Sequence, residues 1–102
     1  MNTKNQTQDR QQVLIDLYMQ YLLNEITLGQ LLAYLRKNIL GMSQEQYANL
    51  VGVSRRTLTD IEQDKGKLTQ SVLDKVFKPL GLKAGLVPTH EHIVRKIINP
   101  SE

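Results

Sequence analysis

SQEQYANLVGVSRRTLTDIE, residues 43–62, is the stretch on which the fold turns. It reads as two short helices joined by a tight turn. Ser43 is suited to cap the first helix, because its hydroxyl can accept an unpaired N–H of the opening turn. Glu45 adds negative charge near the positive end of that helix. Tyr47, Ala48 and Val51 recur at helical spacing and form an expected inward face, with Leu50 beside them. Ala48 is small where a second helix must cross closely. Gly52 supplies the left-handed residue that ends the first helix, and Val53 is placed to plug the angle between the two. Ser54 caps again, after which Leu58 and Ile61 point back to the core. Arg55, Arg56, Thr59 and Asp60 remain outside. Two arginines at the N-terminus of an exposed helix suit entry into the major groove, where a guanidinium can bond guanine O6 and N7 or clamp a phosphate. Amphipathic helix pairs around a glycine also occur in all-α domains that never meet nucleic acid, so periodicity alone leaves both readings open.

The rest of the chain is arranged around this pair. At 102 residues it allows one domain with a modest core. Residues 28–81 hold eight Lys/Arg against five Asp/Glu, whereas residues 1–27 hold two against three. The basic excess therefore lies in the part expected to face DNA. With no cysteine there is no disulfide and no cysteine-ligated metal, which fits a reducing cytoplasm. No apolar run is long enough to span a bilayer and none reads as a signal peptide, so a cytoplasmic protein is expected. Residues 1–12 are polar without apolar periodicity and are expected to be frayed or disordered. Residues 13–27 read as an N-terminal helix whose stripe, Leu14, Leu17, Tyr18, Tyr21 and Leu22, is wider than a surface helix needs. It either packs on the domain or holds a partner. A further helix runs from Leu28 to Leu40, capped by Thr27, with Arg36 and Lys37 in its last turn. Lys65 and Lys67 flank a turn after the reading helix and are candidate phosphate contacts. Thr69 caps a helix to Leu80, in which Pro79 distorts the final turn and Gly81 is the stop.

SQEQYANLVGVSRRTLTDIEQDKG resembles the helix-turn-helix of the Cro/phage-repressor (Xre) family, through Ser43, Gln44, Ala48, Gly52, Val53, Ser54, Leu58, Ile61 and Glu62. The resemblance spans about Leu28 to Leu82. It implies a lambda-repressor-like all-α domain that binds double-stranded operator DNA. It further implies that Gln44 bonds the phosphate backbone and buttresses the first reading residue. Arg55, Arg56 and Asp60 then meet base edges, with Thr59 at their margin. The family often carries an arginine seven residues before the Gln44 position, paired with the acid at Glu62. Here Lys37 has that spacing and Arg36 lies one earlier, so either is a candidate partner.

Residues 82–88, LKAGLVP, follow the last domain helix as a strand-like apolar run. A lone strand in an all-α domain has no ladder partner, and pairing with a second copy is the simplest solution. Leu82, Ala84, Leu86 and Val87 are the expected dimerisation residues. A two-fold dimer would also present two reading helices to successive major-groove faces about 34 Å apart. The segment FKPLGLKAGLVP is similar to the end of HipB-type antitoxins. That similarity implies an autoregulating antitoxin that also binds a HipA-like kinase toxin. Residues 89–102 form a tail or short terminal helix, with Ile93, Val94, Ile97 and Ile98 at helical spacing. His90 and His92 have no third ligand in view, so no metal site is expected, and no cofactor is implied. No paired carboxylates, phosphate loop or nucleophile set supports an enzyme.

The sequence thus leads to an all-α helix-turn-helix domain at 28–81, with an N-terminal helix extension and a C-terminal strand paired across a homodimer. The expected function is repression through sequence-specific operator binding, in a toxin–antitoxin operon. The competing readings are a stand-alone Xre repressor and a protein-interaction module on the same fold. The DNA-contacting set is Ser43, Gln44, Ser54, Arg55, Arg56, Thr59, Asp60, Lys65 and Lys67.

Overall fold

The computed structural model describes residues 3–101. Among these residues six α-helices follow one another: α1 (Thr3–Leu22), α2 (Leu28–Leu35), α3 (Gln44–Val51), α4 (Arg55–Glu62), α5 (Gln70–Phe77) and α6 (Glu91–Ile98). A π turn, Arg36–Leu40, extends α2, and a 3₁₀ turn, Lys78–Leu80, extends α5. The 3₁₀ turn falls where Pro79 denies the helix a backbone donor.

The core is drawn from α2 to α5. Leu31, Leu32, Leu35, Tyr47, Ala48, Val51, Leu58, Ile61, Val76, Phe77 and Leu80 form one buried cluster. Val53, in the turn between α3 and α4, packs against it. Leu50 does not belong to the inward face, being 54% exposed. It stands one residue before Val51, and about 100° of rotation per residue carries it off the buried stripe.

Caps fix where these helices begin. Thr27 accepts from the Gln30 N–H at 3.1 Å while its own N–H donates to Gln30 Oε1 at 2.9 Å. Ser43 and Gln46 repeat the reciprocal arrangement at 3.1 and 3.0 Å. Ser54 accepts from the Thr57 N–H at 3.0 Å and Thr69 from the Val72 N–H at 3.2 Å. Each such cap is worth about 1 kcal/mol.

Two expectations require correction. The polar start is helical: α1 begins at Thr3 rather than near Val13, while Met1 and Asn2 lie outside the described residues. Lys, Gln and Arg are good helix formers, and an apolar segment that packs downstream lets the helix propagate back through them and the weaker residues between. Gln12 assists by donating to Asp16 at 2.8 Å, one turn on. Secondly, residues 82–88 form no strand, and there is no β-structure among the described residues. A ladder needs a neighbouring chain segment, and here the Ala84 N–H is instead taken by the Asp74 carboxylate at 2.7 Å.

α1 packs on the domain through Leu14, Leu17 and Tyr21, which touch the core cluster. The other side of its stripe stays open, with Ile15, Tyr18 and Met19 exposed. α6 buries Val94 alone and leaves Ile93, Ile97 and Ile98 exposed.

Candidate nucleic-acid interface

α4 is held from behind by an ion pair that anchors its last turn. Arg36 Nε donates to Glu62 Oε2 at 2.7 Å and its Nη2 to Oε1 at 2.9 Å, a bidentate fork. Its Nη1 donates to the Met42 carbonyl at 2.7 Å. Arg36 is only 4% exposed, so the pair sits in a site largely cleared of water. Lys37, the other candidate, is exposed.

The π turn explains why Arg36 has the seat. The Gly41 N–H bonds back to the Arg36 carbonyl, one residue further than in an α-helix. A π turn holds one extra residue. Arg36 stands eight residues before Gln44 instead of seven, and the wide turn takes up the difference. Gly41, with φ 60°, then ends the helix in the left-handed region.

Glu62 passes its position on to Gln44. Gln44 Nε2 donates to Glu62 Oε1 at 3.0 Å, and Gln44 Oε1 accepts from the Thr59 hydroxyl at 3.3 Å. The side-chain amide of α3 is therefore gripped at both ends by α4. One amide hydrogen remains for an outside acceptor. Thr59 and Asp60 are half-buried, less open than the sequence predicts. Thr59 faces Gln44 and belongs to the support of the reading surface.

Arg55 and Arg56 are exposed at the other end of α4, with no ion-pair partner among the described residues. Ser54 caps the helix below them, and its hydroxyl also donates to Thr57 Oγ1 at 2.9 Å. The guanidinium groups thus stand at a capped helix N-terminus, where charge and free N–H groups both favour an anion. Lys65 and Lys67 are exposed in the loop after α4. The predicted residues accordingly fall into three groups: Arg55 and Arg56 at the start of α4, Gln44 with Thr59 at its middle, and the two lysines beyond its end. Ser43 serves the cap of α3. Of the expected dimerisation residues, Leu82 and Ala84 are half-buried, whereas Leu86 and Val87 are exposed.

Sequence reasoning missed Asp64. It adopts a left-handed conformation with φ 57° just past α4. Its carboxylate accepts from the Thr27 hydroxyl at 2.6 Å and from the Gly29 N–H at 2.9 Å. Helices α2 and α4 are thereby tied at a second point. They also touch closely there, since a Cβ on Gly29 would lie 2.5 Å from the Ile61 carbonyl oxygen. The signal available in sequence was an Asx-type residue at a helix C-terminus, which points to a turn but not to its partner.

Tyr47 closes the back of the site. Its hydroxyl donates to the Val76 carbonyl of α5. Burial first, then the nearby Glu62 carboxylate, push its pKa from 10.0 up to about 12, against a lowering by Arg36.

Among the described residues no helix is long and apolar enough to cross a membrane. Neither the curated proteins nor the solved structures compared with this chain gave a match. A family model described as helix-turn-helix matches residues 32–86, just over half of the chain and the whole of α3, the turn and α4. The two capped helices, the left-handed glycine between them and that match together make this chain a member of the Cro/phage-repressor (Xre) type of helix-turn-helix family, whose members are DNA-binding transcription regulators.

Proposed function

We propose that the protein is a sequence-specific repressor that occupies operator DNA as a homodimer. The observation that carries this reading is the pair of exposed arginines on a helix whose last turn is locked by Arg36, Glu62 and Gln44. A rigid helix with free cations at its N-terminus is what a major-groove reader requires. Arg55, Arg56 and Asp60 read base edges. Gln44, Lys65, Lys67 and the N-termini of α3 and α4, capped by Ser43 and Ser54, hold phosphates and fix register. Thr59 acts by orienting Gln44.

Autoregulation follows if the operator overlaps the protein's own promoter. The antitoxin context draws its support from the resemblance of residues 77–88 to HipB-type chains. A HipA-like kinase frame beside the gene, and its co-purification with this protein, would bear that out. A gene with no such neighbour would leave a stand-alone repressor.

The test of DNA reading is fluorescence anisotropy with the protein's own upstream DNA, at two salt concentrations and against scrambled competitor. Tight, competitor-resistant binding with a steep salt dependence is expected. Binding that the competitor abolishes would favour the protein-interaction module instead.

A further inference from the structure

Residues 63–68, QDKGKL, carry both lysines assigned to phosphate, and every residue of this loop is exposed. Leu68, its apolar side chain, lies outside the core cluster. Cations on an unanchored loop would have to be ordered at the moment of contact, which weakens binding. The loop is nevertheless fixed. The Asp64 and Lys65 N–H groups bond back to the Ile61 and Asp60 carbonyls at 3.0 and 2.8 Å, which closes the end of α4. Beyond that, among the described residues the Asp64 carboxylate makes the only hydrogen-bonded link from residues 63–68 to another element.

That link is chemically specific. The Thr27 cap accepts from the Gln30 N–H, which leaves the Gly29 N–H in the first turn of α2 without a helical partner. Asp64 supplies one. Its Oδ1 accepts from that N–H at 2.9 Å, and its Oδ2 takes the Thr27 hydroxyl at 2.6 Å. A carboxylate also suits the positive end of α2. Local rules favour a different residue here. Glycine takes a φ of 57° at the least cost, and a negative charge beside two phosphate-binding lysines repels the ligand they await. Aspartate offsets both disadvantages only through its two charge-assisted hydrogen bonds. Thus α2 grips α4 twice, through Arg36 on Glu62 beyond its last turn and through its first turn on Asp64.

We propose that Asp64 is a positioning residue for DNA binding, fastening residues 63–68 to α2 so that Lys65 and Lys67 stand ready for phosphates before a duplex arrives. This rests on the reading of those lysines as phosphate contacts and names what fixes them. Three roles for Asp64 have three different outcomes. If it acted only by its charge, removing it would tighten binding. If it only supported the fold, its loss would weaken binding whatever stands at positions 65 and 67. As a positioning residue, its loss weakens binding only while the lysines are present.

The test uses the full chain and fluorescence anisotropy with a duplex of random sequence at low salt, because phosphate contacts do not depend on sequence. Asp64→Gly keeps the left-handed backbone but loses both bonds, and it should weaken binding about fivefold, a usual coupling between neighbouring groups. Lys65→Ala with Lys67→Ala should by itself lower the salt slope by about 2. In that background Asp64→Gly should change affinity by less than about twofold. Asp64→Asn can keep both contacts, its oxygen on the Gly29 N–H and its amide donating to the Thr27 hydroxyl, and should restore the affinity that the glycine variant loses. Thr27→Asp retains a good cap but sets a second carboxylate against Asp64. It should reproduce the lysine-dependent loss even where Asp64→Gly is too unstable to measure. A loss of equal size in both backgrounds, an asparagine variant as weak as the glycine one, or tighter binding by Asp64→Gly overturns the proposal. A chain that shows the expected pattern on the random duplex yet no preference for its own upstream DNA sustains the proposal and sinks the repressor reading. A wild type that binds neither duplex overturns both.

Discussion

Where α2 and α3 meet α4 the polar side chains are tied to one another, whereas along α1, residues 82–88 and α6 the apolar side chains are left over. The first region spends a bidentate ion pair, a glutamine bridge and an aspartate tether on holding one helix still. Among the described residues no buried side-chain polar atom lacks a partner. The second region exposes Tyr18, Met19, Leu86, Val87, Ile97 and Ile98. The difference separates two tasks. A reading helix must be rigid before its target arrives, since ordering it on contact would cost affinity. Exposed apolar groups of this extent are instead what the homodimer proposed above would need, kept available until a second surface covers them.

Breaking the first region should have the largest effect. Arg36→Ala leaves the Glu62 carboxylate buried without its partner and should cost about 3–5 kcal/mol in urea unfolding. Lys37, outside the site, should not rescue it. A loss below about 1 kcal/mol would mean that the pair is no more than a surface contact. The double replacement Arg36→Met with Glu62→Leu should recover much of the stability, since no charge is then left alone. Its operator affinity should remain low, because Gln44 has lost its anchor.

Next comes Tyr47, whose neutral form is favoured in the folded state. The unfolded phenol ionises near pH 10.0 and the folded one near 12. This stability is therefore fully present below pH 10 and lost as pH rises towards 12, a change of about 3 kcal/mol for the two-unit shift. Tyr47→Phe should flatten that alkaline decline in a pH series of melts. An equally steep decline in the phenylalanine variant would place its origin elsewhere.

Arg55→Ala and Arg56→Ala should each weaken operator binding by about 1–3 kcal/mol. Their melting temperatures should stay near wild type, as for exposed side chains elsewhere. If both bind operator normally, α4 does not enter the groove by its N-terminus. The smallest effect belongs to α6. Its Arg95–Glu91 pair spans 2.8 Å on the open surface, and Arg95→Ala should change stability by less than about 0.5 kcal/mol.

Sequence was most informative where structure is decided locally. Ser43, Gly52 and Ser54 announce the two helices because capping and left-handed turns depend on single residues, and Leu58 and Ile61 show their inward face by spacing alone. The supports of the site were not legible in the same way. Asp64 finds Thr27 and Gly29 across more than thirty residues of chain, and no local pattern encodes that meeting. The choice between Arg36 and Lys37 depends on whether the helix widens by one residue, which a regular period cannot reveal. The polar run at the start of α1 lacks an apolar stripe, yet helix propagates through it from a packed neighbour. Residues 82–88 read as a strand because they are apolar and alternating, but alternation without a neighbour makes no ladder.

The π turn at Arg36–Leu40 also bears on how this chain is lined up with its relatives. An ungapped alignment puts Lys37 in the column of the ion-pairing arginine and scores a mild, charge-preserving exchange. With one residue of insertion admitted at the wide turn, Arg36 falls into that column and the arginine is retained. A relative lacking the extra residue should have an ordinary α-helical turn at this point, so the length of this segment distinguishes the two helix forms before any coordinates are available.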